Sequence, residues 1–224
     1  MIQNVKISIL ETGFPFWEHL SEEEKEILTA SCSIVQFEKE SLIHRHDEMC
    51  IGMLLVLSGQ VRTYILSDDG REVTLYRLYK GDTCILSASC VLDAVAFDVL
   101  IESVEPTEAL LVPLPAFHRL MKQNVYVELF AYKLSTERFS DVMWTIQQIL
   151  FMGADKRLAI FLWDETAKTG NDTVSYTHDQ IARYIGSARE VVSRMLKYFS
   201  GEGIVSLSRG KIRILDRSRL KGYL

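Results

Sequence analysis

The stretch THDQIARYIGSAREVVSRMLK, residues 177–197, carries two helix-start signals around a single glycine. Thr177 with Gln180, and Ser187 with Glu190, both fit the reciprocal capping pattern S/T-x-x-E/Q. Ile185-Gly186 between them reads as a helix stop followed by a tight turn. Ile181, Ala182 and Ile185 give the first helix an apolar stripe; Val191, Val192, Met195 and Leu196 give one to the second. Two short helices joined by a Gly-containing turn make a helix-turn-helix. The second helix points Arg189, Glu190, Ser193, Arg194 and Lys197 away from its apolar stripe. Arginine can hold guanine edges bidentately and glutamate can accept from cytosine. Arg189, Glu190 and Arg194 are therefore candidate base readers, although a solvated charged face would have the same composition. Glu190 has a competing role in the Ser187 capping box.

After this pair, residues 203–207, Ser208-Arg-Gly and residues 211–215 read as a β-hairpin, and a short turn at 218–223 closes the sequence. A hairpin behind a recognition helix is a wing. Thr177, His178, Ser187, Ser193, Lys197, Arg209 and Lys211 are the candidates for phosphate and other DNA contacts, because helix N-termini and the wing both face the DNA backbone in this docking. Residues 155–168 form one further helix, and residues 169–173 a loop.

Upstream, Val125, Leu129, Tyr132, Thr136, Phe139, Met143, Ile146 and Leu150 are spaced alternately by four and three, the a/d pattern of a coiled coil. The predicted helix, ended by Gly153, is about 25 residues and ~38 Å long at 1.5 Å per residue. Leu129, Tyr132, Thr136, Phe139, Met143, Ile146 and Leu150 are the expected seam of a parallel homodimer, with Thr136 its weak point. The competing expectation is that this seam packs on the barrel of its own chain.

From Ile34 to Val112 the period falls to two. Strands are expected at residues 34–37, 42–44, 53–57, 60–66, 72–78, 99–103 and 108–112, with Asp69-Gly70 a hairpin signal. Many short strands at this spacing suggest a sandwich or jelly-roll barrel. A short helix from Ser21 to about Ser31, with Ser21 and Glu24 as capping box, precedes them. The fold class is thus α+β: an N-terminal jelly-roll β-barrel, a long dimerisation helix and a C-terminal winged helix-turn-helix. The expected divisions are 1–122, 123–153 and 154–224.

Charge follows the same division. The 224 residues carry a net charge of −5. Residues 1–150 hold 12 Lys and Arg against 22 Asp and Glu, whereas residues 151–224 hold 13 against 8. An acidic body with a basic C-terminal third is expected if one part meets phosphates and the other does not. No run of eighteen apolar residues is present, so no membrane partner is expected, and the N-terminus lacks the features of a secretory leader; the expected location is the cytoplasm.

Cys32, Cys50, Cys84 and Cys90 show no paired or zinc-finger spacing and read as buried thiols, with a redox or metal role for Cys84 and Cys90 as the sharper alternative. His44 and His46 alternate on a strand and Glu48 follows. That keeps open a second reading, a metal-dependent jelly-roll (cupin-like) enzyme with an accessory winged helix, although the third histidine such a site needs is missing before Pro115. No metal site and no catalytic residue is assigned.

The order barrel, heptad helix, winged helix-turn-helix resembles the CRP/FNR (cyclic-AMP receptor/fumarate-nitrate regulator) family of bacterial transcription factors, with a cyclic-nucleotide-binding-like barrel. The resemblance spans nearly the whole chain. The family's R-E-x-x-x-R stands here as Arg189-Glu190-Val191-Val192-Ser193-Arg194, and Gly59 and Gly81 match its barrel glycines. It implies a homodimer on a palindromic operator, with half-sites related to TGTGA, and RNA polymerase as a further partner through the loop 168–174. The implied effector segment includes Gly81, Asp82, Cys84, Leu86, Ser87 and Cys90. Two departures bear on the effector, which is a small molecule or redox signal left unidentified. Gly81-Asp82 replaces the family's Gly-Glu, and residues 93–98 hold no arginine to pair a cyclic phosphate. Cyclic AMP is therefore not expected. Nor is an iron–sulfur cluster, because no cysteine cluster precedes Cys32.

Overall fold

The computed structural model describes residues 2–44, 51–85 and 99–224, with side chains from Val5 onward. The described chain forms two compact units: residues 1–65 with 75–142, and residues 66–74 with 143–224. The units cut the long helix and the hairpin tip differently from the divisions expected above.

The first unit opens with α1 (Ile2–Gly13), a 3₁₀ turn (Trp17–His19) and α2 (Glu22–Ser31). The α2 capping box forms as expected: the Glu24 amide donates to Ser21 Oγ at 3.3 Å, and the Ser21 amide donates to the Glu24 carboxylate at 2.7 Å. The sequence reading gave residues 1–20 no element. Leu10, Phe14, Phe16, Trp17 and Leu20 nevertheless bury themselves with Leu28, Phe117, Leu120 and Val127 in one apolar cluster, so tertiary packing holds a helix that local pattern does not announce.

The strands are β1 (Ser33–Phe37), β2 (Leu42–His44), β3 (Gly52–Ser58), β4 (Val61–Leu66), β5 (Glu72–Leu78), β6 (Thr83–Cys84), β7 (Leu100–Ser103) and β8 (Thr107–Pro113). They pair as two four-stranded sheets, β1-β8-β3-β6 and β2-β7-β4-β5. Ile43, Leu54, Val56, Val61, Leu75, Leu78, Val99 and Ile101 fill the space with Tyr76 and Cys84. Gly59 makes the β3–β4 turn at φ +85°; a Cβ there would lie 2.5 Å from the Pro106 carbonyl oxygen, so only glycine fits. Arg62 and Glu102, opposite each other on β4 and β7, form a buried ion pair at 2.7 Å, with the guanidinium also over the Tyr64 ring. Nothing in the sequence pattern signals that pair.

After β8 come α3 (Leu114–Gln123) and α4 (Val125–Phe151). Asn124 divides the two helices. Asn124 is extended, its Oδ1 accepts from the Tyr126 amide at 3.0 Å, and its Nδ2 donates to the His19 carbonyl at 3.0 Å. α4 buries Val127, Ala131 and Leu134 against the first unit. The heptad residues lie elsewhere on the helix and stay exposed: Leu129 46%, Tyr132 55%, Phe139 64% and Leu150 66%. Within the first unit, Leu129, Tyr132 and Phe139 therefore do not pack on the barrel. Thr136 turns its hydroxyl back to the Tyr132 carbonyl at 2.9 Å, which satisfies the polar atom within the helix.

The second unit holds α5 (Ala154–Thr169), β9 (Thr173–Val174), α6 (His178–Ile185), α7 (Arg189–Gly201), β10 (Val205–Ser208), β11 (Lys211–Ile214) and α8 (Arg217–Lys221). Its core joins Leu158, Phe161 and Leu162 to Ile181, Ile185, Val192, Leu196 and Phe199, and to Ile204, Val205, Ile212 and Ile214 of the hairpin. β9, within the stretch read as a loop, adds a third strand in the order β10-β11-β9.

Candidate nucleic-acid interface

The two helices of residues 177–201 take their positions from their ends. α6 starts on a complete capping box: the Gln180 amide donates to Thr177 Oγ1 at 3.2 Å, and the Thr177 amide to Gln180 Oε1 at 2.9 Å. Thr177 is thus engaged in capping. α6 ends at Gly186, left-handed at φ +60°, whose amide caps the Ala182 carbonyl. The Ser187 amide donates to the same carbonyl at 2.9 Å.

The second capping box does not form. α7 begins at Arg189 with Ala188 as N-cap and no side-chain cap. Ser187 lies one residue too early, because its amide is spent closing the turn on Ala182. Glu190 is consequently not drawn into capping and stands exposed.

The exposed face of α7 is the one expected. Arg189, Glu190, Arg194 and Lys197 are exposed and Ser193 half-buried, while Val192, Leu196 and Phe199 are fully buried. At about 100° per residue, the five polar positions fall within an arc of roughly 140°. On the hairpin, Arg209 and Lys211 are exposed at the β10–β11 turn. Arg213 joins them and was missed, although the alternation of Lys211-Ile212-Arg213-Ile214 signals that it shares the outward face. His178 is half-buried in the first turn of α6.

Ion pairing sorts the cations of this unit. Arg183 meets Asp179 at 3.1 Å and Glu72 at 3.7 Å, Arg217 meets Asp172 at 2.7 Å, and Arg219 meets Glu202 at 2.9 Å. Arg189, Arg194, Lys197, Arg209, Lys211 and Arg213 make no ion pair among the described residues. Lys156 and Lys221 likewise show no ion pair among the described residues, but six of the cations free to neutralise an external anion sit together on α7 and the hairpin.

Residues 66–74, the tip of the β4–β5 hairpin with the start of β5, brace the turn of the motif. Arg71 donates to the Gly186 carbonyl, and Thr74 Oγ1 donates to the Arg183 carbonyl at 3.1 Å. Both carbonyls lie at the end of α6, where unpaired acceptors and the helix dipole favour donors and positive charge. Arg157 does the same for α4, donating to the Met152 carbonyl at 3.0 Å and the Ile149 carbonyl at 3.3 Å. Burial first, and then the charge of Arg71, lower the pKa of Arg157. Sequence patterning missed this brace, because it joins residues more than a hundred positions apart.

Of the expected effector segment, Gly81, Asp82 and Cys84 are described. Gly81 and Asp82 belong to a surface turn in which the Asp82 carboxylate accepts from the Tyr79 amide at 2.8 Å, and Gly81 lines a small groove with Ile9, Gly13 and Lys80. Cys84 instead lies buried in the barrel core. Leu86, Ser87 and Cys90 fall outside the described residues, as do Cys50, His46 and Glu48. His44 is buried. Cys32 is also buried, which pushes its thiol up to about 12. No group of three His, Cys, Asp or Glu side chains able to hold a metal occurs among the described residues.

Residues 34–124 match the family model of a cyclic nucleotide-binding domain, and residues 156–223 that of a Crp-like helix-turn-helix domain. Over 219 residues the chain is 25% identical to the transcriptional regulator flp of Lacticaseibacillus casei, covering 93% of this chain and 95% of that one. Over 209 residues it is 23% identical to the cyclic AMP receptor protein of Thermus thermophilus, covering 93% and 96%. Among solved structures, a crp/fnr-family chain of Eubacterium rectale, described as a transcriptional regulator, superposes with a TM-score of 0.90 at 45% identity, covering 94% of this chain and 98% of that one. FixK2 of Bradyrhizobium japonicum shares the fold at 20% identity, with a TM-score of 0.70 over 86% of this chain and 96% of that one. The flp and Eubacterium rectale relatives are described as transcriptional regulators, and the metal-dependent enzyme finds no support.

Proposed function

The chain belongs to the CRP/FNR family of transcription regulators, and from that premise we propose that it works as a homodimer that reads a palindromic operator with α7 under control of a signal sensed in the barrel. The observation that carries this reading is the sorting of cations. The arginines on the face of α7 and the basic residues of the hairpin have no anionic partner among the described residues, whereas the neighbouring Arg183, Arg217 and Arg219 are paired. Arg189 and Arg194 hold guanine edges, and Glu190 accepts from cytosine. Lys197, Arg209, Lys211 and Arg213 meet phosphates, with Ser187, Ser193 and His178 at the edge of the footprint.

The exposed heptad face of α4 pairs two subunits in parallel. Two recognition helices then enter successive major grooves about 34 Å apart. The sensor acts by shifting the population towards that spacing. The effector stays unidentified. RNA polymerase is the further partner, at the loop between α5 and β9, and the place of action is the cytoplasm.

The test is fluorescence anisotropy with an operator recovered by selection from random duplexes. Arg194→Ala is expected to abolish preference at one base pair per half-site, a loss of ~1–3 kcal/mol, and to leave weak, salt-sensitive binding. Equal losses on operator and random duplex would remove the base-reading assignment.

A further inference from the structure

The hairpin behind α7 has a fixed base and a free, charged tip. The Ile204 amide donates to the Phe199 carbonyl at 2.9 Å and the Leu215 amide to the Ile204 carbonyl at 2.8 Å. Val205, Ile212 and Ile214 lie in one core with Val192, Leu196 and Phe199 of α7. The strands pair Val205 with Ile214, Ser206 with Arg213, Leu207 with Ile212 and Ser208 with Lys211, which leaves Arg209-Gly210 as a two-residue turn. Gly210 takes φ +69°, a left-handed conformation that suits glycine, and a Cβ there would meet nothing within 4 Å. Leu207, Ser208, Arg209, Gly210 and Lys211 are all exposed.

The chemistry of the tip is one-sided. No Asp or Glu occurs between Gly203 and Leu215. Across the outward face each cation stands opposite a serine, Lys211 opposite Ser208 and Arg213 opposite Ser206. At the apex, Arg209 has Ser208 before it and Gly210 after it, so no bulky neighbour keeps its guanidinium out of a cleft. Duplex DNA offers such a cleft in its minor groove, about 6 Å wide against about 12 Å for the major groove that admits a helix. Where that groove is narrow its negative potential rises, and a guanidinium, more weakly hydrated than an ammonium, enters it at the smaller desolvation cost.

Resting on the operator-reading role of α7 above, we propose that Arg209 enters the minor groove bordering each half-site and reads its width. It meets the phosphates from inside the groove, between the two backbones, while Lys211 and Arg213, two positions apart on one face of β11, follow a single backbone from outside. A·T runs narrow the minor groove, whereas G·C pairs favour a wider, A-like geometry and add the guanine N2 amino group to its floor. The chain therefore selects sequence at base pairs that α7 does not touch.

The test is anisotropy titration of the full-length wild type, Arg209→Ala and Lys211→Ala on the selected operator, with the base pairs bordering each half-site set to A·T, G·C or inosine·C. Inosine keeps the major-groove edge of guanine and lacks its N2 amino group, so it isolates the minor groove. The wild type is expected to bind the A·T and inosine·C operators severalfold more tightly than the G·C operator. Arg209→Ala should bind all three alike. Lys211→Ala should weaken all three equally, flatten the log–log salt slope by about one, and keep the wild-type preference. A wild type indifferent to the bordering pairs, an inosine·C operator bound like the G·C one, or an Arg209→Ala variant that keeps the preference would overturn the inference and leave base reading by α7 intact. A wild type that binds the operator no better than a random duplex would overturn both.

Discussion

Replacing Gly186 by alanine tests whether the turn between α6 and α7 is held by the geometry described. At φ +60° an alanine pays the left-handed penalty of about 1–2 kcal/mol. The added Cβ would also lie 3.2 Å from Ile149 Cδ1. That atom is the end of a flexible side chain, so the contact adds only a few tenths of a kcal/mol. The stiffer unfolded chain of the alanine variant offsets part of this, about 0.4–1 kcal/mol. The net is a destabilisation of ~1 kcal/mol, or roughly 2–4 °C in Tm for a chain of this length. Asparagine tolerates the left-handed region far better than alanine, yet places a Cβ at the same point. Gly186→Asn should therefore lie between glycine and alanine, and the Asn–Ala difference isolates the backbone contribution. Calorimetry supplies the Tm values, and titration of the selected operator shows whether α7 still seats. An alanine variant as stable as glycine, or an asparagine variant less stable than alanine, would refute a left-handed turn at this position.

Further outcomes follow from other contacts. Thr74→Val removes the hydroxyl donor to the Arg183 carbonyl and is expected to cost about 1 kcal/mol in the melting of the second unit, followed by hydrogen exchange of α6; unchanged protection there would contradict the brace. Leu196→Ala empties a fully buried site in the core of the helix-turn-helix and should lower stability by about 2–5 kcal/mol in denaturant titration. Burial pushes the Cys32 thiol up to about 12, so it should resist alkylation at pH 8 in the folded protein and react on unfolding; rapid labelling of the native chain would contradict its burial. At Glu24, partial burial raises the pKa, but hydrogen bonds from Ser21 and Asn124 outweigh it, leaving it below the ordinary 4.5. A lowered carboxylate pKa stabilises the fold above the unfolded value and is lost as pH falls through the folded one. Glu24→Gln should accordingly flatten the acid side of the stability profile below about pH 4.5; an identical profile would remove the carboxylate's role.

The second unit was legible because its signals are local. Thr177 and Gln180 sit three apart, Gly186 marks the stop, and the apolar stripes repeat at helical spacing, so sequence and structure agree on α6, α7 and the hairpin. The described strands of the first unit other than the two-residue β6 were readable for the same reason, since alternation and Asp69-Gly70 act over a few residues. What escaped depends on distant partners. α1 exists because Leu10 and Phe14 find a core built from α2, α3 and α4. The Arg62–Glu102 pair and the Arg71 contact with Gly186 join residues far apart in sequence. The Ser187–Glu190 box misled because a matching pattern competes with the turn for the same amide, and the turn wins. The a/d repeat announced an apolar seam, and its residues stay exposed on α4.

The central claim is that a guanidinium-bearing face of α7, presented twice by a parallel dimer, selects DNA sequence. Rounds of selection from a random duplex pool at low salt, followed by sequencing of the duplexes retained by wild-type protein and by an Arg189→Ala/Arg194→Ala variant, address it directly. The wild type should recover a two-fold-symmetric sequence with half-sites centred about one helical turn apart, ~34 Å, and the variant should recover none. Retention of the same symmetric sequence by the variant, or an unstructured pool from the wild type, would contradict the account.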